Sequence, residues 1–550
     1  MNPMKTISTR LVCLWAVALV ALVAVASASR GQEILAPDRP IAEVIDHYLD
    51  LKLKTAKVAP APPATDATIV RRLYLDLAGR IPTAGEARDY VHSTDPQKRV
   101  KLIQELVAAP EFIRHNATEF DVLLRNDNAE ASSVRGYLLT AFKDNRPWDQ
   151  MFRDLLGVAE KPDPAKPEQY VTKRLKDRDS LTRDISSVFF GLNISCAQCH
   201  RHPYIKSLTQ DYFFGMREFF AASYEFQGNL LDRRFVKPSE FKSKDGKVQP
   251  VRLMFLNGKT VEREKGLAAD LAKAIQEESK EIEKLAKAYA KTKELPPPAT
   301  FRPRSKLADL ALAPENRDMF AQAIVNRLWY RFYGYGLVMR TDQMHANNPA
   351  SHPELLQWLT RDFIAHQYDL KRLIGGLVAS KAYARSSQWS DKEGPAAQLF
   401  AVATIRPLTP SQWAMSFTVA NNPSLIKQGL SRELQEKSLA AIETQSKGLE
   451  NLLEYPREDM QIPITESLKL SNDAAILKSV GGQLLPTLMK SKDRKQQIEE
   501  SMWTVLSRAP TSDDYDLLDS YLEKRKDRPA AGLQQMLWAL INSPEFRFNH

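Results

Sequence analysis

Cysteine is nearly absent from this chain: three in 550 residues, at positions 13, 196 and 199. Cys13 lies in the apolar segment at the start, so the rest of the sequence has two thiols and no disulfide framework to staple a small fold. Long apolar runs are also missing after residue 28, and no later stretch reads as a transmembrane helix. A Gly-rich phosphate loop, a nucleophile elbow and an HExxH helix are absent, which leaves the common kinase and hydrolase routes without support. What remains is an ordinary globular composition, 43% apolar and 26% charged. The length suits about three to four domains.

The first 28 residues stand apart. Lys5 and Arg10 precede an apolar run from Leu11 to Val25, followed by Ala26-Ser27-Ala28. That is the pattern of a signal peptide cleaved after Ala28. The run falls short of the roughly 20 residues that a spanning helix needs. Cys13 sits at its beginning rather than its end, which argues against a lipid anchor. The expectation is an exported protein, periplasmic or at the cell surface. Without Lys5 and Arg10, 75 basic residues face 67 acidic ones, a net charge of +8. Spread over the chain this is mild; it suits acidic envelope polymers or a redox partner and gives no reason to expect nucleic acid.

From Ile41 onward the periodicity is helical. Apolar residues recur at three and four from Ile41 to Leu53, and Asp66 is placed to cap a helix over 69–78. Thr83 and Glu86 form a capping-box pair, Asp95-Pro96 marks another start, and Pro110 restarts a helix after Ala109. Arg80-Ile81-Pro82-Thr83 with Glu86 is echoed by Arg508-Ala509-Pro510-Thr511 with Asp514. Ala109-Pro110-Glu111-Phe112 is echoed by Ser543-Pro544-Glu545-Phe546. On sequence grounds this is reuse of good helix-start chemistry. Val251, Leu253 and Phe255 alternate before Asn257-Gly258, predicting a small hairpin. A long charged helix over 262–291 carries one narrow stripe: Leu271, Ile275, Ile282, Leu285 and Tyr289.

The densest chemistry is Cys196-Ala197-Gln198-Cys199-His200, with Arg201, His202 and Pro203 behind it. Three readings fit CxxCH. Two thiols two residues apart reach the vinyl groups along one porphyrin edge, and the following imidazole, His200, is placed to meet the iron as in haem c. Alternatively zinc or iron is bound by Cys196, Cys199 and His202, with His200 or a distant residue completing a tetrahedral set. The third reading is no cofactor, with a structural or redox-active disulfide. A haem usually needs a second axial ligand; Met216 reads as core filler, whereas Met344 and His345 would have to come from the other domain. A second polar cluster, Asp342, His345, Asn347, Asn348, Ser351 and His352, offers an alternative metal or acid–base site at Asp342, His345 and His352. Capping by Ser351 ahead of Pro353 is the plainer account of part of it.

Arg71-Arg72-Leu73-Tyr74-Leu75-Asp76-Leu77-Ala78-Gly79, Asn145-Arg146-Pro147-Trp148 and the run Cys196 to Pro203 with Asp211-Tyr212-Phe213 resemble the cytochrome-like domain of unknown function abundant in planctomycetes. Asn326-Arg327-Leu328-Trp329, Ser351-His352-Pro353-Glu354-Leu355-Leu356 and Asn542-Ser543-Pro544-Glu545-Phe546 resemble the uncharacterised domain that commonly follows it. The resemblance implies no assigned activity and singles out Cys196, Cys199, His200, His202 and Pro203. Family members often have an acidic residue between the two histidines, where this chain has Arg201.

The expected protein is mainly α, a multi-helix two-domain chain with a small β-hairpin element and a long charged helical arm between the domains. The segments are a signal peptide (1–28), an N-terminal helical domain (38–223), the hairpin and arm (224–298) and a C-terminal helical domain (299–550). Its expected role is to bind a redox or metal cofactor at CxxCH; the alternative is a non-catalytic envelope scaffold or polysaccharide binder whose CxxC is a disulfide.

Overall fold

Short helices follow one another, several of them begun by a Thr, Ser or Asp side chain that accepts an amide at the helix start. The computed structural model describes residues 34–126, 133–161, 163–243, 246–263, 270–427, 429–456, 468–470 and 472–550; the leader with Cys13 lies outside them. Residues 34–39 belong to a separate unit and carry no helix or strand. Pro40–His550 is one unit, mainly α-helical, with only two-stranded antiparallel sheets among its described residues.

The capping box at Ala84–His92 is present as expected, with Glu86 N donating to Thr83 and Thr83 N donating to the Glu86 carboxylate. Two starts differ from expectation. Thr65, not Asp66, caps Asp66–Leu73, because its hydroxyl one residue earlier reaches the Thr68 amide. Asp95 closes a turn onto Gln97 N, so the next helix begins only at Lys98. The hairpin at Asn257-Gly258 is there, pairing Leu253–Met254 with Thr260–Val261. A second hairpin, Ser223–Phe226 with Asn229–Asp232, turns at Gln227-Gly228. The charged arm spans Leu271–Thr292. Its predicted stripe is only half-buried, and its most deeply buried positions are Ala274 and Glu278. The Glu278 carboxylate takes the Arg234 and Phe235 amides, so a charge rather than an aliphatic ridge seats the arm.

One aromatic core spans the expected domain boundaries: Phe189 stacks on Trp148 (5.4 Å), Phe152 lies 4.7 Å from Phe189, and Phe320 joins Phe152 at 5.1 Å. Beside it runs a buried ionic centre. Asp76, in a wider π turn Tyr74–Ala78, accepts from Arg406 at both oxygens (3.1 and 2.8 Å), from Tyr383 Oη (2.7 Å) and from Asn549 Nδ2 (3.0 Å). Residues far apart in the chain thus meet on one carboxylate, and the short strand Phe548–Asn549 pairs with Arg406–Pro407 to hold the last donor in place.

The two sequence echoes are equivalent in three dimensions. Arg80 follows left-handed Gly79 (φ 71°), donates to Ile81 O, and pairs with Glu86 (2.8 Å) and Glu111 (3.5 Å). Arg508 follows left-handed Ser507 (φ 62°), donates to Ala509 O, and pairs with Asp514 (2.6 Å) and Glu545 (2.5 Å). Shared capping alone does not require the distant Glu111 and Glu545 pairings, so the echo is a repeated helical unit rather than a repeated cap. The copies touch: Arg88 pairs with Glu500 (2.7 Å) and lies over Trp503.

Removing one partner from a buried ion pair leaves an uncompensated charge at a cost of about 3–5 kcal/mol. Asp76→Ala is therefore expected to lower the unfolding free energy measured in urea by that order, and Asp76→Leu with Arg406→Met to recover part of the loss. A single change with no measurable shift would contradict this account.

Candidate functional site

The CxxCH segment begins where the helix Arg178–Phe190, capped by Asp177, ends on left-handed Gly191 (φ 61°). Its left-handed backbone favours glycine, and a Cβ there would also push on the Met344 side chain, 2.5 Å from Sδ. Asn193 then organises the turn. Its Oδ1 accepts from Ser195 N (3.1 Å) and Ser195 Oγ (2.6 Å), an Asx turn that starts the single 3₁₀ turn Ser195–Gln198. Ala197 is fully buried beneath that turn, and Gln198 is tied to Asp179 and Arg183. Cys196 and Cys199 are both exposed, and no disulfide joins them.

The histidines differ sharply. His200 is exposed and its Nδ1 lies 2.7 Å from Arg201 O; a hydrogen bond there assigns the proton to Nδ1 and leaves Nε2 as a free lone pair. His202 is buried, 3% exposed. Its Nδ1 accepts from Tyr204 N (3.3 Å) and Ile205 N (3.2 Å), and the ring also hydrogen-bonds to the Asn193 backbone. Burial lowers its pKa, keeping it neutral. Its bonds tie the following loop back onto the motif.

The loop bearing the second cluster lies against the motif. Asn193 N donates to Asp342 O (2.8 Å), Asn193 Nδ2 to Asp342 Oδ2 (2.9 Å), Met344 N to Gly191 O (2.9 Å) and Asn347 Nδ2 to Tyr204 O (2.5 Å). His345 meets His202 edge-on at 6.3 Å and stacks on exposed Tyr204 at 6.2 Å. Its pKa is lowered by burial, and its Nδ1 is enclosed without a hydrogen-bond partner.

His352 is placed differently. It packs against Phe400 (5.6 Å) and bonds Ser351 Oγ (3.0 Å). Ser351 therefore does not cap the helix Pro353–Ala365; His352 occupies the cap position without a side-chain bond to it. Asp342 Oδ2 is bonded by Asn193 and its Oδ1 lies 3.7 Å from Arg340, whereas His352 packs on Phe400, so Asp342, His345 and His352 are not gathered into one centre. Among the described residues no three His, Cys, Asp or Glu side chains are gathered closely enough to hold a metal. Met216 is fully buried.

Two family models match, in this order along the chain. Residues 44–225 match one described as a protein of unknown function (DUF1549). Residues 303–438 match one described as a protein of unknown function (DUF1553). The chain pairs two domains of unknown function. No curated protein and no solved structure matches. CxxCH lies in the DUF1549 segment and the Asp342–His345 loop in the DUF1553 segment, so the contacts above join the two. Asn193 escaped the sequence reading, although Asn193-Ile194-Ser195 ahead of a turn is the signature of an Asx motif.

The donor chemistry at the motif fits a covalently attached group: two unbonded, exposed thiols on one turn and an imidazole with a free outer nitrogen.

Burial pushes the His352 pKa down to about 4. The unfolded chain, with its His near 6.5, takes up the proton first, so this contribution to stability is complete above pH 6.5 and is lost as pH falls toward 4. The full effect is about 3 kcal/mol. His352→Phe is expected to flatten the decline in that window, checked by urea denaturation at pH 7, 5.5 and 4.5; a profile identical to the parent would contradict it.

Proposed function

We propose that this chain is an exported carrier of a redox group, a c-type haem attached at Cys196 and Cys199 with His200 as its proximal ligand. The observation that carries the reading is the state of the motif: both thiols exposed and unbonded, and His200 with Nδ1 turned to a backbone carbonyl. Each thiol would add its S–H across one vinyl group, forming a thioether and sending the hydrogen to the neighbouring carbon, with no oxidant consumed. Once bound, a haem supplies one-electron chemistry. The chain's own contribution is positioning. Asn193 and Gln198 hold the turn that presents the thiols, and buried Ala197 anchors it. The carbonyl of Arg201 orients the His200 ring. The dispersed ligand set favours covalent attachment over a bare tetrahedral zinc or iron, which needs about four protein ligands already close together. The leader-like first 28 residues agree, because attachment of this kind takes place outside the cytoplasm. Exposed Arg201 and Lys206 give the rim a positive charge suited to an acidic redox partner.

Expression with cytochrome maturation machinery tests the reading. The expected product shows a Soret band and the mass of one haem that survives denaturation, and Cys196→Ser with Cys199→Ser loses both while keeping its helical circular dichroism. Colourless protein carrying zinc, or a Cys196–Cys199 disulfide, would overturn it.

A further inference from the structure

Arg72 is buried, 3% exposed, yet its guanidinium is only partly used. Nε donates to His550 O (3.2 Å), and Nη1 donates to Arg385 O (3.1 Å) and to Tyr383 O. The Tyr383 ring covers one face, 5.6 Å away. Nη2 is enclosed and meets no acceptor. The charge is no better served: among the described residues no carboxylate side chain is in ion-pair contact with it. Asp76, whose field reaches Arg72, is the partner of Arg406 instead. Burial pushes the Arg72 pKa down, and the like charge of Arg406 adds to that. A buried guanidinium left in this state is costly and calls for a reason.

A small cavity supplies one. Arg72 lines it together with Arg406, Phe332, Tyr333, Phe400 and Thr404, and half-buried Thr404 marks its outer side. Its lining residues bring two guanidinium groups and no acidic side chain. About 10 Å³ is open to the centre of a water-sized particle, which is room for one such occupant. A water there would give Nη2 a hydrogen bond but leave the buried positive charge unbalanced. A small anion does both. The size excludes phosphate, sulfate and carboxylates.

We propose that this cavity is a binding site for a single halide ion, of which chloride is the type, with Arg72 Nη2 as its principal donor. The ion balances Arg72 and so locks the side chain that ties the carbonyls of Tyr383, Arg385 and His550 together. Most of the wall is apolar, so an ion must shed its water to enter. Bromide and chloride, which release water more readily than fluoride, are therefore the favoured occupants. The site is separate from the CxxCH motif and independent of any group bound there.

The test unfolds full-length protein in urea at constant ionic strength while sodium gluconate is replaced by chloride, bromide or fluoride. Chloride and bromide are expected to raise the midpoint, with the rise levelling off as the site fills, and fluoride to have little effect. Bulk salt effects run in the opposite order, strongly hydrated anions stabilising most. Arg72→Gln is expected to be less stable in every salt and to lose the chloride-dependent rise. A crystal soaked in bromide gives a second reading that needs no variant: an anomalous peak in the cavity, within hydrogen-bond reach of Arg72 Nη2. A water in that position without bromide overturns the proposal. So do midpoints that follow the bulk order, or a folded Arg72→Gln that keeps the full chloride response.

Discussion

A single buried carboxylate holds the ends of this molecule together. Asp76 is only 2% exposed, and Arg406, Tyr383 and Asn549 take the place of bulk solvent around it. A carboxylate taken out of water without such partners is severely destabilising, so the π turn, the two arginine-bearing segments around it and the last strand assemble together. Arg72 reinforces the closure by donating to the carbonyls of Tyr383, Arg385 and His550. Arg331 extends it to Asn116 and His115, whose pKa is driven well down by burial and the adjacent guanidinium.

The candidate site depends on that closure through a short mechanical path. Arg331 lies on the helix Arg317–Tyr333, and Asn326 of the same helix clamps Val338. From Val338 the chain runs into the loop that bonds Gly191, Asn193 and Tyr204. A helix fixed at one end by the ionic centre thus leads into the loop that carries His345 against His202 and Tyr204. The site needs little packing of its own, because its backbone is gripped from both matched segments.

The duplicated Arg-x-Pro-Thr unit plays a different part. In each copy a left-handed residue ends one helix, the arginine folds back, and two carboxylates from later turns receive it. The copies then pack through Arg88, Glu500 and Trp503, and Arg71 of the first segment donates to the carbonyls of Val505, Glu545 and Phe546 in the second unit. This makes the C-terminal end a structural counterpart of the N-terminal one and brings residues more than 400 positions apart into contact.

Local chemistry was legible residue by residue. The helical class, the capping box at Thr83, the proline start at Pro110, the Asn257-Gly258 hairpin and Met216 as core all follow from side chains acting on their near neighbours, and the sequence contains those neighbours. The same locality misled at Asp66, where Thr65 had the better geometry, and at Ser351, whose hydroxyl bonds the His352 ring instead of the helix start. Likewise the CxxCH spacing determined that two thiols and an imidazole share one turn. The bonds of His200 to Arg201 O and of His202 to Tyr204 N and Ile205 N are local, but only tertiary structure decided that the loop over Asp342 to Asn347 docks on Asn193 and Tyr204, some 140 residues earlier, and brings His345 against His202. Sequence carries the donors, but burial and long-range hydrogen bonds determine which of them remain free.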